Sequence, residues 1–203
     1  MVLEVFILVL IGYLLGSVSF SYLIAKKLKQ VDIRQHGSGN AGATNTLRVL
    51  GVGPAITVLA LDCAKGIVAI LIAQWATQDP LIVSLSGLAA IVGHNWPVFY
   101  KFKGGKGVAT TIGVLATLVF LPALFAGSIA ILSIIFTRYV SLGSLLFILI
   151  TPLLVWTFST TFDYPSAYRY ILLAIAALSI WRHRENIQRL LKGTESKIGQ
   201  KAM

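Results

Sequence analysis

Long apolar runs separated by short polar segments set the pattern of this chain. The runs cover about 5–25, 53–75, 81–99, 108–136, 142–158 and 167–181. Most have the length of a helix that crosses the hydrocarbon core of a bilayer. Taken as one helix, 108–136 would be roughly 44 Å long, more than the core requires. Pro122 divides it into two short spans, which makes seven. The pattern therefore predicts an all-α, polytopic membrane protein of about seven transmembrane helices. It forms a single integral membrane domain over 1–203, with polar loops near 32–50, 101–110 and 182–195.

Composition agrees with the pattern. Mean hydropathy is +0.84, 57% of residues are hydrophobic and only 12% are charged, too apolar a balance for a soluble domain. The net charge of +10 would suit nucleic acid in a soluble chain. In a lipid-embedded one, with the charge in short loops, it marks topology and anionic ligands instead. The first apolar run has its lysines (Lys26, Lys27, Lys29) after it, so it reads as an uncleaved span ending in the cytoplasm rather than a signal peptide. With the split at Pro122, every one of the 17 basic residues except Lys65 and Arg169 falls on the cytoplasmic side. That puts the N-terminus outside and the C-terminus in the cytoplasm. The turns at 77–80 and 163–165 lie outside.

Within the spans, Gly12 and Gly16 make a small-xxx-small face for helix packing. Ser17, Ser19 and Ser21, near the inner end of the first span, either bond helix backbone, the favoured reading, or line a site. Asp62 and Lys65 share one face of the second span and must pair or line a wet cavity at that depth. A single cysteine, Cys63, excludes an intramolecular disulfide, and the scattered acidic residues offer no metal cage.

Chemistry collects in three polar segments. The first, HGSGNAGATNTLR at 36–48, holds Gly37, Gly39 and Gly42 among Ser38, Asn40, Thr44, Asn45 and Thr46, and closes with Arg48. It cannot be a spanning helix; glycines this dense let backbone amides converge on an anion, and Arg48 adds a planar clamp. The second, KFKGGKGVAT at 101–110, repeats the idea with Gly104, Gly105, Lys106 and Gly107, without the spacing of a Walker A loop. The third, RHREN at 182–186, extends the last span as helix, with His183 and Asn186 on one face and Arg182 within reach of Glu185. All three emerge on the same predicted membrane face, as a shared anion site would require.

GSGNAGATNTLR, GHNWPVFYKFKGGKGVAT and RHRENIQRLLKGTE, in this order, resemble the three cytoplasmic motifs of the bacterial acyl-phosphate:glycerol-3-phosphate acyltransferases. The likeness runs from GSVSFSYLIAK in the first span to the tail. It departs at Ser19, where many relatives are expected to have proline, so the first span lacks the residue that would kink it. The resemblance implies transfer of a fatty acyl group from acyl phosphate to the 1-hydroxyl of glycerol 3-phosphate, giving lysophosphatidic acid and phosphate. It implies catalytic roles for Ser38, Arg48, His183 and Asn186, with Glu185 structural. It also implies an acceptor-phosphate role for Gly104, Gly105, Lys106 and Gly107. Gly37, Gly39, Asn40, Gly42, Thr44, Asn45 and His94 complete the expected substrate-binding set. His183 is either the base or a hydrogen-bonding partner, and a substrate phosphate is the other candidate base. No metal, cofactor or nucleic acid is implied, and the expected location is the bacterial cytoplasmic membrane.

Two competing classes fit less well. A transporter for a phosphorylated solute would carry internal repeats and a site near the bilayer midplane, and neither is visible. A thioester-dependent acyltransferase of the His-x4-Asp kind is excluded by spacing, since Ala41, Phe99 and Gln188 stand five places after His36, His94 and His183.

Overall fold

Backbone amides and carbonyls in lipid have no water to bond, so an apolar segment must satisfy them within itself, as a helix does. The computed structural model describes residues 2–199, and among these every regular element is helical. The α-helices are α1 (Val2–Gly16), α2 (Phe20–Lys29), α3 (Ala43–Leu50), α4 (Val52–Ala76), α5 (Pro80–Asn95), α6 (Val108–Leu118), α7 (Phe120–Thr137), α8 (Val140–Thr157), α9 (Ser166–Arg182) and α10 (Arg184–Leu191). Among the described residues, five segments are long and apolar enough to cross a membrane: Val2–Lys29, Val52–Ala76, Pro80–Tyr100, Phe120–Thr137 and Val140–Thr157. Helix stands at each of the seven expected places. However, α6 has 11 residues and rises only about 16 Å, roughly half the hydrocarbon core.

Three local expectations change. The break in 108–136 falls at Val119 (φ −144°, ψ 61°), and Pro122 sits in the first turn of α7. The ring of a proline collides with the carbonyl four residues back, here Leu118, which is where α6 ends. The result is one short helix and one of full length rather than two short ones. The first span also breaks, between Gly16 and Phe20, although Ser19 replaces the expected proline. Ser17 Oγ donates to the Tyr13 carbonyl (2.8 Å), and the Ser19 and Ser21 hydroxyls lie 3.4 Å apart. Finally, the first polar segment contains a short helix, α3, which carries Arg48.

The chain divides at the α6–α7 break into two compact units, one through Thr117 and one from Leu118. In the amino-terminal unit, helices meet backbone to backbone through glycine. A Cβ on Gly12 or Gly16 of α1 would strike the carbonyls of Ser86 or Ala90 of α5, and one on Gly93 would strike that of Tyr13. Likewise Gly66 of α4 abuts the Thr110 carbonyl of α6, and Gly113 abuts that of Cys63. Without a hydrophobic drive between helices in lipid, such close approach is the main source of attraction. Ser86 Oγ ties the group together by bonding the carbonyl of Leu8 (3.1 Å). Asp62 and Lys65 form the expected ion pair at 2.8 Å, both fully buried.

In the second unit, α8 packs against α7 and α9, with Gly143 against the Ala130 carbonyl and Ile134. Large apolar side chains such as Phe125, Ile131 and Phe136 of α7 are exposed. Apolar surface on this scale fits contact with lipid tails rather than water.

The glycine contacts predict a contrast. Gly16→Ala must push against α5 backbone and should lower the apparent thermal midpoint in detergent, corresponding to about 1–3 kcal/mol of overpacking. Gly127→Ala, whose Cβ would meet only Phe147 at 3.9 Å, should leave the midpoint unchanged or raised. Equal midpoints for the two variants would refute the close-packing account.

Candidate active site

Chain geometry builds the first polar segment around one asparagine. After α2, Gln30 turns left-handed (φ 57°) and Asp32 caps a single 3-10 turn, Ile33–Gln35, by accepting from Arg34 N at 3.0 Å. The Arg34 guanidinium folds back onto Asp32 (Nε–Oδ1 2.9 Å, Nη2–Oδ2 2.7 Å) and donates to the Tyr100 carbonyl at 2.7 Å. That hydrogen-bonded ion pair holds the Asp32 carboxyl below its usual range. Gly37 and Gly39 follow at positive φ (61° and 71°). Asn45, on α3 and fully buried, serves the loop they form: its Nδ2 donates to the carbonyls of Ile33 (3.1 Å) and His36 (2.9 Å), and its Oδ1 accepts from Ser38 N (2.8 Å). A Cβ on Gly37 would land on that Oδ1, so the glycine is required by position as well as by φ. Ile33 and Ala41 pack beneath the loop against Ala25, with Tyr22, Val49 and Leu50 around them.

This leaves Ser38 exposed, Asn40, Gly42 and Thr44 half-buried, and Arg48 half-buried on α3. The Arg48 guanidinium has no hydrogen-bond or ion-pair partner among the described residues, and the Asp32–Arg34 pair takes up the loop's other charges. Expected as a substrate ligand, Asn45 bonds its own loop with every polar atom it has.

The second glycine segment docks on the end of α5. Lys101 and Phe102 both adopt left-handed backbone (φ 58° and 57°), uncommon for one non-glycine residue and more so for two in succession. Their turn is held by Phe102 N donating to the Pro97 carbonyl (3.0 Å). Beyond it, Gly105 N donates to the His94 carbonyl at 3.1 Å. A Cβ on Gly105 would fall on His94 Nε2 and on the Ala41 carbonyl, and one on Gly104 would meet the His94 carbonyl and Pro97. Both polar segments of this unit thus come together at His94, Gly105 and Ala41. Gly107 (φ 80°) then opens α6, whose first-turn amides, with Lys106 beside them, make a positive end of the kind that receives anions.

Sequence reasoning passed over three residues here. Asn95, Thr110 and Thr111 are fully buried, and the Asn95 amide and both threonine hydroxyls lack a hydrogen-bond partner among the described residues. Asn95 Oδ1 would stand 2.8 Å from a Cβ on Gly107, so its amide faces the glycine segment. Buried polar groups are normally bonded, which makes this trio unusual.

In the second unit, the expected continuous helix breaks at His183 (φ −99°, ψ 6°), which ends α9 and precedes α10. His183 Nδ1 lies 2.8 Å from the Ser179 carbonyl. A carbonyl only accepts, so the hydrogen is on Nδ1 and the lone pair of the neutral ring on Nε2. His183 and Asn186 are both buried. Glu185 is exposed, with the Arg184 guanidinium 3.9 Å away.

The structural carboxylate is Glu195, which the sequence reading missed. Its Oε1 accepts from Ser141 Oγ (2.6 Å) of α8 and Asn186 Nδ2 (2.6 Å) of α10, and its Oε2 from Arg189 Nε (2.7 Å). Ile198 N adds a bond to the Arg138 carbonyl (2.8 Å). The tail after Gly193 therefore folds back and fixes the Asn186 amide. No spacing rule points to an acid nine places beyond its partner, across a helix end. Burial pushes the Glu195 carboxyl up, but the hydrogen bonds from Ser141, Asn186 and Arg189 outweigh it and leave it below its usual range.

Comparison with known proteins follows the same outline. The glycerol-3-phosphate acyltransferase family model matches residues 6–193. A glycerol-3-phosphate acyltransferase from Halalkalibacterium halodurans is 65% identical over 96% of both chains, and one from Shouchella clausii is 61% identical over 99% of both. The crystal structure of PlsY (YgiH), an integral membrane glycerol 3-phosphate acyltransferase, in its glycerol 3-phosphate form is 42% identical over 96% of each chain, with a TM-score of 0.89. Its lysophosphatidic acid form gives 0.87.

The lowered Glu195 carboxyl has a signed consequence. Its stabilisation is complete above the unfolded value and is lost as pH falls through the depressed folded value. Glu195→Gln should therefore lower the thermal midpoint at neutral pH, and the gap to the parent should close in acid. A gap independent of pH would show that the charge of Glu195 contributes nothing.

Proposed function

The chain belongs to the glycerol-3-phosphate acyltransferase family of integral membrane enzymes, and from that premise we propose the full reaction. A fatty acyl group passes from acyl phosphate to the 1-hydroxyl of glycerol 3-phosphate, giving lysophosphatidic acid and inorganic phosphate. The hydroxyl oxygen attacks the acyl carbonyl carbon, the bond from that carbon to the phosphate oxygen breaks, and the hydroxyl proton passes to a base. An acyl phosphate is already an activated anhydride, so the protein needs no covalent intermediate. It needs phosphate cradles, neutralisation of the leaving group and an aligned hydroxyl.

The observation that carries the reading is the meeting of two glycine segments at His94, Gly105 and Ala41. There the backbone lies bare and α6 begins. We assign the acceptor phosphate to Gly104, Gly105, Lys106 and Gly107, and Arg48, with its unengaged guanidinium, to a phosphate or the developing oxyanion. Ser38 and the first-loop residues Gly37, Gly39, Asn40, Gly42 and Thr44 serve the same anions, with Asn45 as the loop's internal brace. His183, with its lone pair on Nε2, is the candidate base, and Asn186 orients a substrate hydroxyl. The glycerol 3-phosphate and lysophosphatidic acid forms of the solved relative support this acceptor and product.

Charge distribution supports seven spans in a bacterial cytoplasmic membrane, N-terminus outside and reaction at the cytoplasmic face. In a Cys63→Ser background, Lys192→Cys should react with an impermeant thiol reagent only from the cytoplasmic side, and Gln78→Cys only from outside. The opposite labelling of Lys192→Cys would overturn the orientation.

Donor identity tests the reaction itself. Purified protein in detergent should form lysophosphatidic acid from glycerol 3-phosphate and acyl phosphate at least a hundredfold faster than from acyl-CoA or acyl-carrier protein of equal chain length. Added chelator should not change the rate. Faster turnover with acyl-CoA would overturn the donor assignment.

A further inference from the structure

The ion pair in α4 belongs to neither glycine segment, yet it reaches one of them. A buried charge inside a spanning helix is costly to keep and is seldom idle. Lys65 Nζ lies 2.8 Å from Asp62 Oδ1, 2.8 Å from the Val18 carbonyl and 3.0 Å from His94 Nδ1. Val18 lies in the break between α1 and α2, so one ammonium hydrogen caps a carbonyl that the interrupted helix leaves over. The contact with His94 fixes more. An ammonium donates and never accepts, so Nδ1 must present its lone pair to Lys65 and the ring hydrogen must be on Nε2. Asp62 Oδ1 also lies 3.5 Å from Nδ1 and by itself would draw a hydrogen to that nitrogen. Both Lys65 contacts are shorter, and the tautomer we infer follows them.

The opposite edge of the ring is where the glycine segment lies. Nε2 occupies the place a Cβ on Gly105 would take, beside the Ala41 carbonyl, and the His94 carbonyl holds Gly105 N. Which nitrogen of His94 carries the hydrogen therefore determines whether the floor beneath Gly105 presents a donor or an acceptor.

We propose that Asp62 and Lys65 are a positioning pair that sets the His94 tautomer and so holds the Gly104–Gly107 segment in its acceptor-binding form. The pair governs the KM for glycerol 3-phosphate more than the rate of acyl transfer. This inference rests on the assignment of that segment to the acceptor phosphate.

The test replaces the whole pair, because removing one partner would strand the other charge, whereas apolar substitution of both is tolerated in many buried pairs. Asp62→Leu/Lys65→Met should keep a thermal midpoint near the parent's and raise the KM for glycerol 3-phosphate tenfold or more. The kcat should stay within about threefold and the KM for acyl phosphate should not move. A stable double variant with unchanged acceptor KM overturns the proposal. Gly105→Ala in the same assay separates the two readings. If it leaves the acceptor KM unchanged, the acceptor assignment fails and the inference with it. If it raises the KM while the double variant does not, the inference alone fails. Histidine 15N spectra of the parent protein give a reading that needs no folded double variant, with His94→Gln locating the signal. They should show His94 protonated at Nε2, and a hydrogen on Nδ1 overturns the proposal.

Discussion

Bare backbone is the constraint on which the amino-terminal unit depends. At Gly12, Gly16 and Gly93, α1 and α5 touch with no side chain between them, as α4 and α6 do at Gly66 and Gly113. The same device recurs where Gly104 and Gly105 lie on the end of α5. In lipid, where helices gain little from hiding apolar surface from one another, close approach replaces the hydrophobic effect. At Gly105 it lets the loop lie directly on His94 and the Ala41 carbonyl. One physical property, the absent Cβ, thus both assembles the helices and shapes the candidate site.

The two buried histidines meet unlike partners at Nδ1, and these favour opposite tautomers. In the tautomer proposed for His94, Lys65 donates to Nδ1 and the hydrogen is on Nε2, whereas the Ser179 carbonyl accepts from His183 Nδ1 and leaves the lone pair on Nε2. His94 is accordingly suited to donate and His183 to accept a proton, and neither role can be inferred from the residue type. Glu195 applies similar control to Asn186, because a carboxylate that takes one amide hydrogen fixes which way the amide points. In each case the residue expected to meet substrate is set by a partner that does not.

Much of this was legible in the sequence because lipid imposes a strong, local rule. Apolar length gives spans, and dense glycine with basic residues marks where the backbone must leave the helix. Helix therefore stands at each predicted span, Gly12 and Gly16 lie on a packing face, and Asp62 pairs with Lys65 as their spacing implied. The three polar motifs were enough to indicate the family, since their chemistry is carried by residues close together along the chain. Helix boundaries were less legible. Pro122 acts on Leu118 rather than on itself, and the first span breaks without a proline, with Lys65, 47 residues on, bonding the carbonyl of Val18 inside the break.

Tertiary structure alone decided which polar residues serve the loops and which remain available to a ligand. Asn45, Glu195 and the unpaired Asn95, Thr110 and Thr111 look alike to any reading of composition or spacing, for each is a polar residue in or beside a motif. What separates them is whether a partner from a distant part of the chain arrives at hydrogen-bond distance: the Ile33 carbonyl for Asn45, Ser141 for Glu195. Hydrogen bonds are short and directional, so their pairing follows from the packed positions of helices and not from the order of residues. The sequence determined that this chain is a helical membrane enzyme of its family with glycine-rich polar loops between its helices. The fold determined how its charges and hydrogens are arranged within them.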